Sequence, residues 1–173
     1  AGDHQALADW WCAALGYVRR ESREGESPRP SDWPVPIEDP AGQGPLIWII
    51  PVPEPKTVKN RMHLDVTGDQ AELLGLGATL VRARDEDIEW DILADPEGNE
   101  FCVIEPGNDF LADCGFIGAV ASDGSQQVGY FWSEALGWPL VWDQDEETAI
   151  RSPHGGPKIT WGGPPVRQKT HKN

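Results

Sequence analysis

The sequence predicts an α+β protein assembled from repeated βαβββ units, and three observations support this fold class. Residues 61–106 contain signals for a strand, a short helix and three further strands in that order. A helix motif ending in glycine occurs first as Trp11-Cys-Ala-Ala-Leu-Gly-Tyr17 and again as Trp132-Ser-Glu-Ala-Leu-Gly-Trp138. A second motif, Lys56-Thr-Val-Lys-Asn60, recurs as Lys169-Thr-His-Lys-Asn173. Such self-similarity indicates duplicated structural units.

The first strand of the 61–106 unit is predicted from alternation. Met62, Leu64 and Val66 are apolar, whereas His63 and Asp65 between them are polar. This period of two is typical of a strand with one face buried, so the apolar and polar side chains project to opposite faces.

The remaining elements of the unit follow from local signals. Residues 69–76 carry a weak helical pattern that ends at glycines, and strands are predicted over 78–82, 88–94 and 100–105. The last two strands are joined by Asp-Pro-Glu-Gly-Asn at 95–99, where proline and glycine favour a chain reversal.

Two further units flank this one. Residues 1–60 begin with a predicted helix over 6–16 and include a Pro- and Gly-rich stretch at 22–44, predicted to be an irregular surface loop or a lid. Residues 113–173 repeat the pattern of a first half, with elements predicted at 116–121 (strand), 126–136 (helix), 139–142, 148–151 and 158–161 (strands). We call residues 1–60, 61–112 and 113–173 modules one, two and three.

The stretch Asp-Pro-Glu-Gly-Asn-Glu-Phe-Cys-Val (95–103), with a histidine on the first strand and the repeat, resembles the vicinal oxygen chelate superfamily. This group includes glyoxalases, bleomycin-resistance proteins, extradiol dioxygenases and fosfomycin-resistance enzymes. The stretch is especially similar to the actinobacterial glyoxalase-like domain subgroup.

The resemblance implies that βαβββ modules pair into an eight-stranded sheet around a cleft, and that the chain holds about one and a half such domains. Residues 1–112 are expected to form one domain whose first strand is missing, and residues 113–173 the first half of a second. The open sheet edges favour a homodimer, with strand exchange as one way of completing them.

The resemblance also implies site residues. His63 occupies the first-strand position that carries a metal ligand in metal-dependent members. Cys102 stands where those enzymes commonly have a glutamate, and Trp48 and Trp161 stand at the matching last-strand positions of modules one and three. His63 and Cys102 alone are too few for a three- or four-ligand site of zinc, nickel, iron or manganese.

Two interpretations are open for each of these residues. His63 is either a structural residue bonded to Asp65 or a backbone carbonyl, or a ligand-contacting acid–base group. Cys102 is either a small buried apolar residue or a nucleophile that needs His63 as its base. Trp48 and Trp161 are either stacking walls for an aromatic ligand or core residues beneath a helix.

Composition narrows the function classes. The formal net charge of −15, from 29 acidic and 14 basic residues, argues against nucleic acid and anionic membranes as partners. No apolar run is long enough for a membrane span. Three cysteines lack a metal-binding spacing, and we expect a reducing cytoplasm.

The favoured hypothesis is a glyoxalase-like protein that binds a small, aromatic or hydrophobic molecule through Trp48, His63, Asp65, Cys102 and Trp161, with no cofactor. The alternative is a metal-dependent lyase or dioxygenase, with His63 as catalytic residue and metal ligand and the other ligands supplied by another chain or a missing segment. A structural module without a site is the third reading.

Overall fold

A computed structural model describes residues 1–22, 25 and 27–162. Within these residues the chain forms three α-helices, one short 3-10 helix and eleven strands. The helices are α1 (His4–Leu15), α2 (Gln70–Gly75) and α3 (Gln126–Leu136), and the 3-10 helix is Asp109–Leu111. The strands are β1 (Val18–Arg19), β2 (Val35–Glu38), β3 (Ile47–Ile49), β4 (Met62–Thr67), β5 (Thr79–Arg82), β6 (Asp91–Ala94), β7 (Glu100–Ile104), β8 (Ile117–Asp123), β9 (Leu140–Gln144), β10 (Glu147–Arg151) and β11 (Lys158–Gly162).

Strands β4–β11 form one eight-stranded sheet in the order β5-β6-β7-β4-β8-β11-β10-β9. Its two halves have the same plan. The first strand of each half runs parallel to the last, β4 beside β7 and β8 beside β11, and the halves join where β4 and β8 pair antiparallel. The α+β class and the paired βαβββ architecture are thereby confirmed.

The eight-stranded sheet consists of modules two and three, whereas the sequence predicted that modules one and two share it. β7 occupies one edge of β4, and β8 occupies the other, so no edge of β4 is left for module one. Module one instead forms a separate three-stranded sheet, β1-β2-β3. The stretch predicted as an irregular loop contains β2. The domain boundary at residue 112 stays a prediction.

Module one is held to module two by α1. Its buried face enters the main apolar core, which lies on the helix side of the eight-stranded sheet. Asp3 caps the start of the helix by accepting a hydrogen bond from the Ala6 amide, and Gly16 ends it with φ 68°. The aromatic rings of Trp10 and Trp11 lie 6.0 and 5.3 Å from the ring of Phe101 on β7.

The turn at 95–99 forms as the sequence predicted. Asp95 is buried, and its carboxylate accepts hydrogen bonds from the amides of Glu97 and Asn99 and from the side-chain amide of Asn99. Gly98 has φ 82°, which glycine adopts without strain. The turn therefore fixes the register of β6 against β7.

The helices of the described chain are short. Within residues 1–22, 25 and 27–162, none combines the length and the apolar character that a bilayer crossing requires.

Candidate functional site

The concave face of the eight-stranded sheet is defined by the parity of β4. Leu64 and Val66 pack into the core on the helix side, so His63 and Asp65 project from the opposite face. Nε2 of His63 lies 3.3 Å from Oδ1 of Asp65. Asp65 is buried and His63 is partly exposed. An imidazole in contact with a buried carboxylate forms the polar centre of this face.

Cys102 joins this pair through strand register. In the parallel ladder it lies opposite Asp65, and the donor atoms of His63, Asp65 and Cys102 all lie within 4.8 Å of one another. Burial raises the pKa of the Cys102 thiol well above its usual range, and the charge of Asp65 and a hydrogen bond to it raise it further. Lys59 and Trp90 act in the opposite direction. Cys102 is consequently a neutral thiol next to the Asp65 carboxylate, not an activated nucleophile.

The second half of the cleft presents small side chains to this cluster. Ala121 lies opposite His63, and Ala119 lies opposite Asp65. Thr160 follows on β11, beside Ala121. This wall therefore carries only short side chains next to the cluster, and Ala119 and Thr160 are buried within it.

Glu147 lies at the start of β10, beside Gly162 at the end of β11. A Cβ atom at Gly162 would lie only 2.5 Å from Cγ of Glu147, so the glutamate side chain lies directly against the glycine backbone. Partial burial raises the pKa of the Glu147 carboxyl, and the charges of Asp65 and Asp145 raise it further. Asp65 and Glu147 lie on strands of the same eight-stranded sheet, β4 and β10.

Aromatic side chains line the same face. Trp90 packs against the buried group that includes Cys102 and Ala119, and it forms a hydrogen bond with the Cys102 sulfur. Trp142 lies opposite Ala149 and makes an edge-to-face contact with Phe110, with ring centroids 5.2 Å apart. These rings supply apolar walls on both sides of the polar centre.

The linker between modules two and three packs against the eight-stranded sheet. Leu111, from the 3-10 helix, packs against Gly118, where a Cβ would come within 2.5 Å of it. Lys158 is buried, and its ammonium group donates a hydrogen bond to the carbonyl of Phe110. Burial lowers the pKa of Lys158. The linker therefore packs onto the same buried group as Cys102 and Ala119.

The structure brings together three of the five predicted ligand-binding residues, His63, Asp65 and Cys102. Trp161 lies opposite Thr148, against which Gly129 of α3 packs, so it faces the helix side and is buried there. Trp48 lies on β3 in the separate three-stranded sheet and is exposed. Neither tryptophan lies on the cleft face of the eight-stranded sheet.

Sequence reasoning missed Trp90, Trp142 and Glu147. Trp142 lies within a predicted strand. Pairing of that strand with the next one would have placed Trp142 on the same face of the sheet as Ala149. Trp90 directly precedes β6, and Glu147 begins β10. No local signal identified either residue, since their proximity to His63 depends on which modules pair.

Two cavities are lined by residues other than those of the His63 cluster. One of about 340 Å³ lies beside the linker and is lined by Thr67, Pro106, Gly107, Asn108, Leu111, Ala112, Asp113 and Cys114. One of about 330 Å³ lies in module one, beside Arg19, Arg20, Arg29 and Trp33. Neither cavity is lined by His63, Asp65 or Cys102.

Comparison with solved structures gives the same fold. The chain is similar to glyoxalase I from Zea mays with a TM-score of 0.64 and 13% identity, covering 93% of this chain and 63% of that one. A glutamate-to-glutamine mutant of the Zea mays enzyme gives a TM-score of 0.62 at 14% identity, covering 93% and 65%. The chain therefore spans less than two thirds of the length of these structures.

A catechol 2,3-dioxygenase structure aligns over 96% of this chain and 71% of its own at 13% identity, with a TM-score of 0.34 that is too low to support any conclusion. No curated protein matches the sequence. The family model described as a glyoxalase-like domain matches residues 1–104, which is more than half of the chain. The protein accordingly belongs to the glyoxalase-like domain family, within the vicinal oxygen chelate superfamily.

Proposed function

We propose that the protein binds a small aromatic or hydrophobic molecule in the cleft of the eight-stranded sheet. The observation that carries this proposal is the arrangement of His63, Asp65 and Cys102 beside Trp90, opposite a floor of small side chains. Binding sites of this kind combine mostly apolar walls with a few convergent polar groups. Here the polar groups come from module two, and module three contributes the short side chains opposite them.

The contacts suggest a different role in ligand binding for each side chain. The indoles of Trp90 and Trp142 offer faces on which a planar ligand can stack. The His63 imidazole, oriented by Asp65, can donate to or accept from a polar group of the ligand. Cys102 contributes a neutral, polarisable surface because its thiol keeps its proton.

The test is isothermal titration with three neutral planar probes, naphthalene, indole and quinoline. Trp90→Ala should weaken binding of the best probe by about tenfold or more, equivalent to roughly 1.4 kcal/mol of lost contact. Trp48→Ala is the matched control, since Trp48 is also exposed but lies on the other sheet. Equal losses in both variants, or no binding of any probe, would contradict the proposal.

A second candidate is a metal-dependent lyase or dioxygenase, and the donor cluster favours it. His63, Asp65 and Cys102 offer nitrogen, oxygen and sulfur donors within 4.8 Å of one another. This set suits zinc, with nickel, iron and manganese as alternatives, and Asp65 adds a ligand to the two that the sequence identified. A bound metal would supply Lewis-acid activation of a substrate oxygen. A fourth ligand could come from another chain.

Metal content and thermal melting test the second candidate. If a metal binds the folded protein at this cluster, one ion per chain should be present, and it should raise the melting temperature. His63→Ala should abolish both effects. Because Cys102 must lose its proton to bind metal and its pKa is raised, the stabilisation should increase with pH. A melting temperature unaffected by zinc, nickel, manganese and iron(II) would eliminate this candidate.

The homodimer remains a proposal that the exposed edges support. β5 ends one side of the eight-stranded sheet, and its side chains, including Leu80 and Val81, are exposed. An unpaired, exposed edge favours pairing with another strand. Sedimentation equilibrium tests this proposal, and the mass of a single chain at all concentrations would contradict it. A cytoplasmic location and the absence of nucleic-acid and membrane partners also remain proposals, based on charge and on the free cysteines.

A further inference from the structure

Helices α1 and α3 are two copies of one sequence pattern, yet they lie in different environments. Trp10, Trp11 and Leu15 of α1 are 8%, 8% and 7% exposed. The repeat places Phe131, Trp132 and Leu136 at the same positions of α3, and these are 61%, 40% and 45% exposed. Both helices end at a left-handed glycine, Gly16 or Gly137. The two helices therefore share their apolar face and their ending, and only α1 has its face covered.

The structure shows what covers the face of α1. Trp11 donates a hydrogen bond from its indole nitrogen to Oδ2 of Asp95, at 3.2 Å. Its ring packs edge-to-face on Phe101. Glu97, two residues after Asp95, accepts from the amides of Gly2 and Asp3 at the start of the helix. The helix thus docks on the Asp-Pro-Glu-Gly-Asn turn and on the helix-side face of module two.

The inner side of α3 is already occupied by its own sheet. Gly129 approaches Thr148 so closely that a Cβ would come within 2.1 Å of the threonine hydroxyl. Phe131, Trp132 and Leu136 stay exposed despite this contact, and the rings of Phe131 and Trp132 touch only each other among the aromatic residues of the described chain. Exposed, contiguous apolar side chains of this size are typical of an interaction surface.

We propose that the outer face of α3, formed by Phe131, Trp132 and Leu136, is a docking surface for a βαβββ module of the 61–106 type. Trp132 donates to the aspartate of that module's Asp-Pro-x-Gly-Asn turn, as Trp11 donates to Asp95. The side chain of Phe131 has no N–H group, so the bond that the Trp10 indole donates to the carbonyl of Leu76 has no counterpart. The repeat identifies this occupant, because the equivalent face of α1 is covered by module two in the same molecule.

The test extends the chain by a copy of its own residues 61–112, joined directly after Asn173. This junction reproduces the natural one, because the motif ending at Asn60 precedes residue 61 just as its repeat ends at Asn173. Hydrogen exchange of the α3 amides, followed by mass spectrometry, is then compared between the original and extended chains. We expect exchange to slow by about tenfold or more in the extended chain.

Two variants of the extended chain make the result specific. Trp132→Ala should abolish the added protection. Glu134→Ala should leave it unchanged, because Ala13, at the matching position of α1, is exposed even where α1 is docked. Unchanged α3 exchange in the extended chain, including the case where the added segment stays unfolded, would overturn the proposal. A dimer of the original chain that Trp132→Ala dissociates would overturn it too, by assigning the face to a second copy.

Discussion

The two halves of the cleft have the same strand arrangement but carry different side chains on the cleft face. In module two, the first and last strands carry His63, Asp65 and Cys102 on the concave face. In module three, the strands that meet them carry Ala119, Ala121 and Thr160. The comparison teaches that the two modules share a strand arrangement, whereas the donor cluster comes from module two and short side chains stand opposite it in module three.

The largest effect is expected from placing a larger side chain at Ala119. Ala119 is fully buried against Cys102, Ile104 and Leu111, so Ala119→Leu must displace its neighbours. Overpacking of this kind costs about 1–3 kcal/mol of the free energy of unfolding. Urea denaturation measures the loss. Ala71→Leu, at an exposed position of α2, is the control and should change stability by less than about 0.5 kcal/mol.

A smaller effect should come from removing the charge of Glu147. Its pKa is raised in the folded state, so the proton is held more tightly there than in the unfolded chain. Folding stability from this group is therefore greatest at low pH and falls as pH rises through the raised pKa. Below the ordinary glutamate pKa, the Glu147→Gln protein should have the same melting temperature as the parent. At pH 7 it should melt roughly 1–3 °C higher than the parent.

The control for this measurement is Glu134→Gln, since Glu134 is exposed on α3. It should leave the difference between the two pH values unchanged. A Glu147→Gln protein that is less stable than the parent at pH 7 would mean that the carboxylate makes a favourable contact across the cleft.

The smallest expected effect is a change in the pKa of Glu147 when the charge of Asp65 is removed. Asp65 contributes to the raised pKa of Glu147, after burial. Asp65→Asn should therefore lower the pKa of Glu147 without returning it to the ordinary value, because burial remains. Carbon-detected NMR titration of the Glu147 carboxyl measures the shift. An unchanged midpoint would show that Asp65 does not act on Glu147 and that the two halves are electrically independent.

Local patterns predicted the elements well. The helix expected at 126–136 is α3, and the strand read from the alternation around His63 is β4. Period-two alternation, glycine stops and a Pro–Gly turn depend on neighbouring residues, so one sequence is enough to read them.

Pairing between modules was not readable in the same way. Modules one and three carry the same motifs, so either could have been assigned to the free edge of β4. Trp161 illustrates the consequence. Its position in the family pattern suggested the cleft, but the register that places it opposite Thr148 turns it towards α3. The face of a strand depends on its partner, and a motif does not specify the partner.

The Asp95 carboxylate also has a consequence for how the molecule opens. The same side chain accepts the bonds that close the 95–99 turn and the bond from Trp11 that docks module one. Separation of α1 removes a partner from a buried charge, and opening of the turn removes the acceptor from a buried indole. Fluctuations of the two segments are therefore coupled. Residues 1–20 and the β6–β7 hairpin should exchange their amide hydrogens as one cooperative unit, although they are distant in sequence.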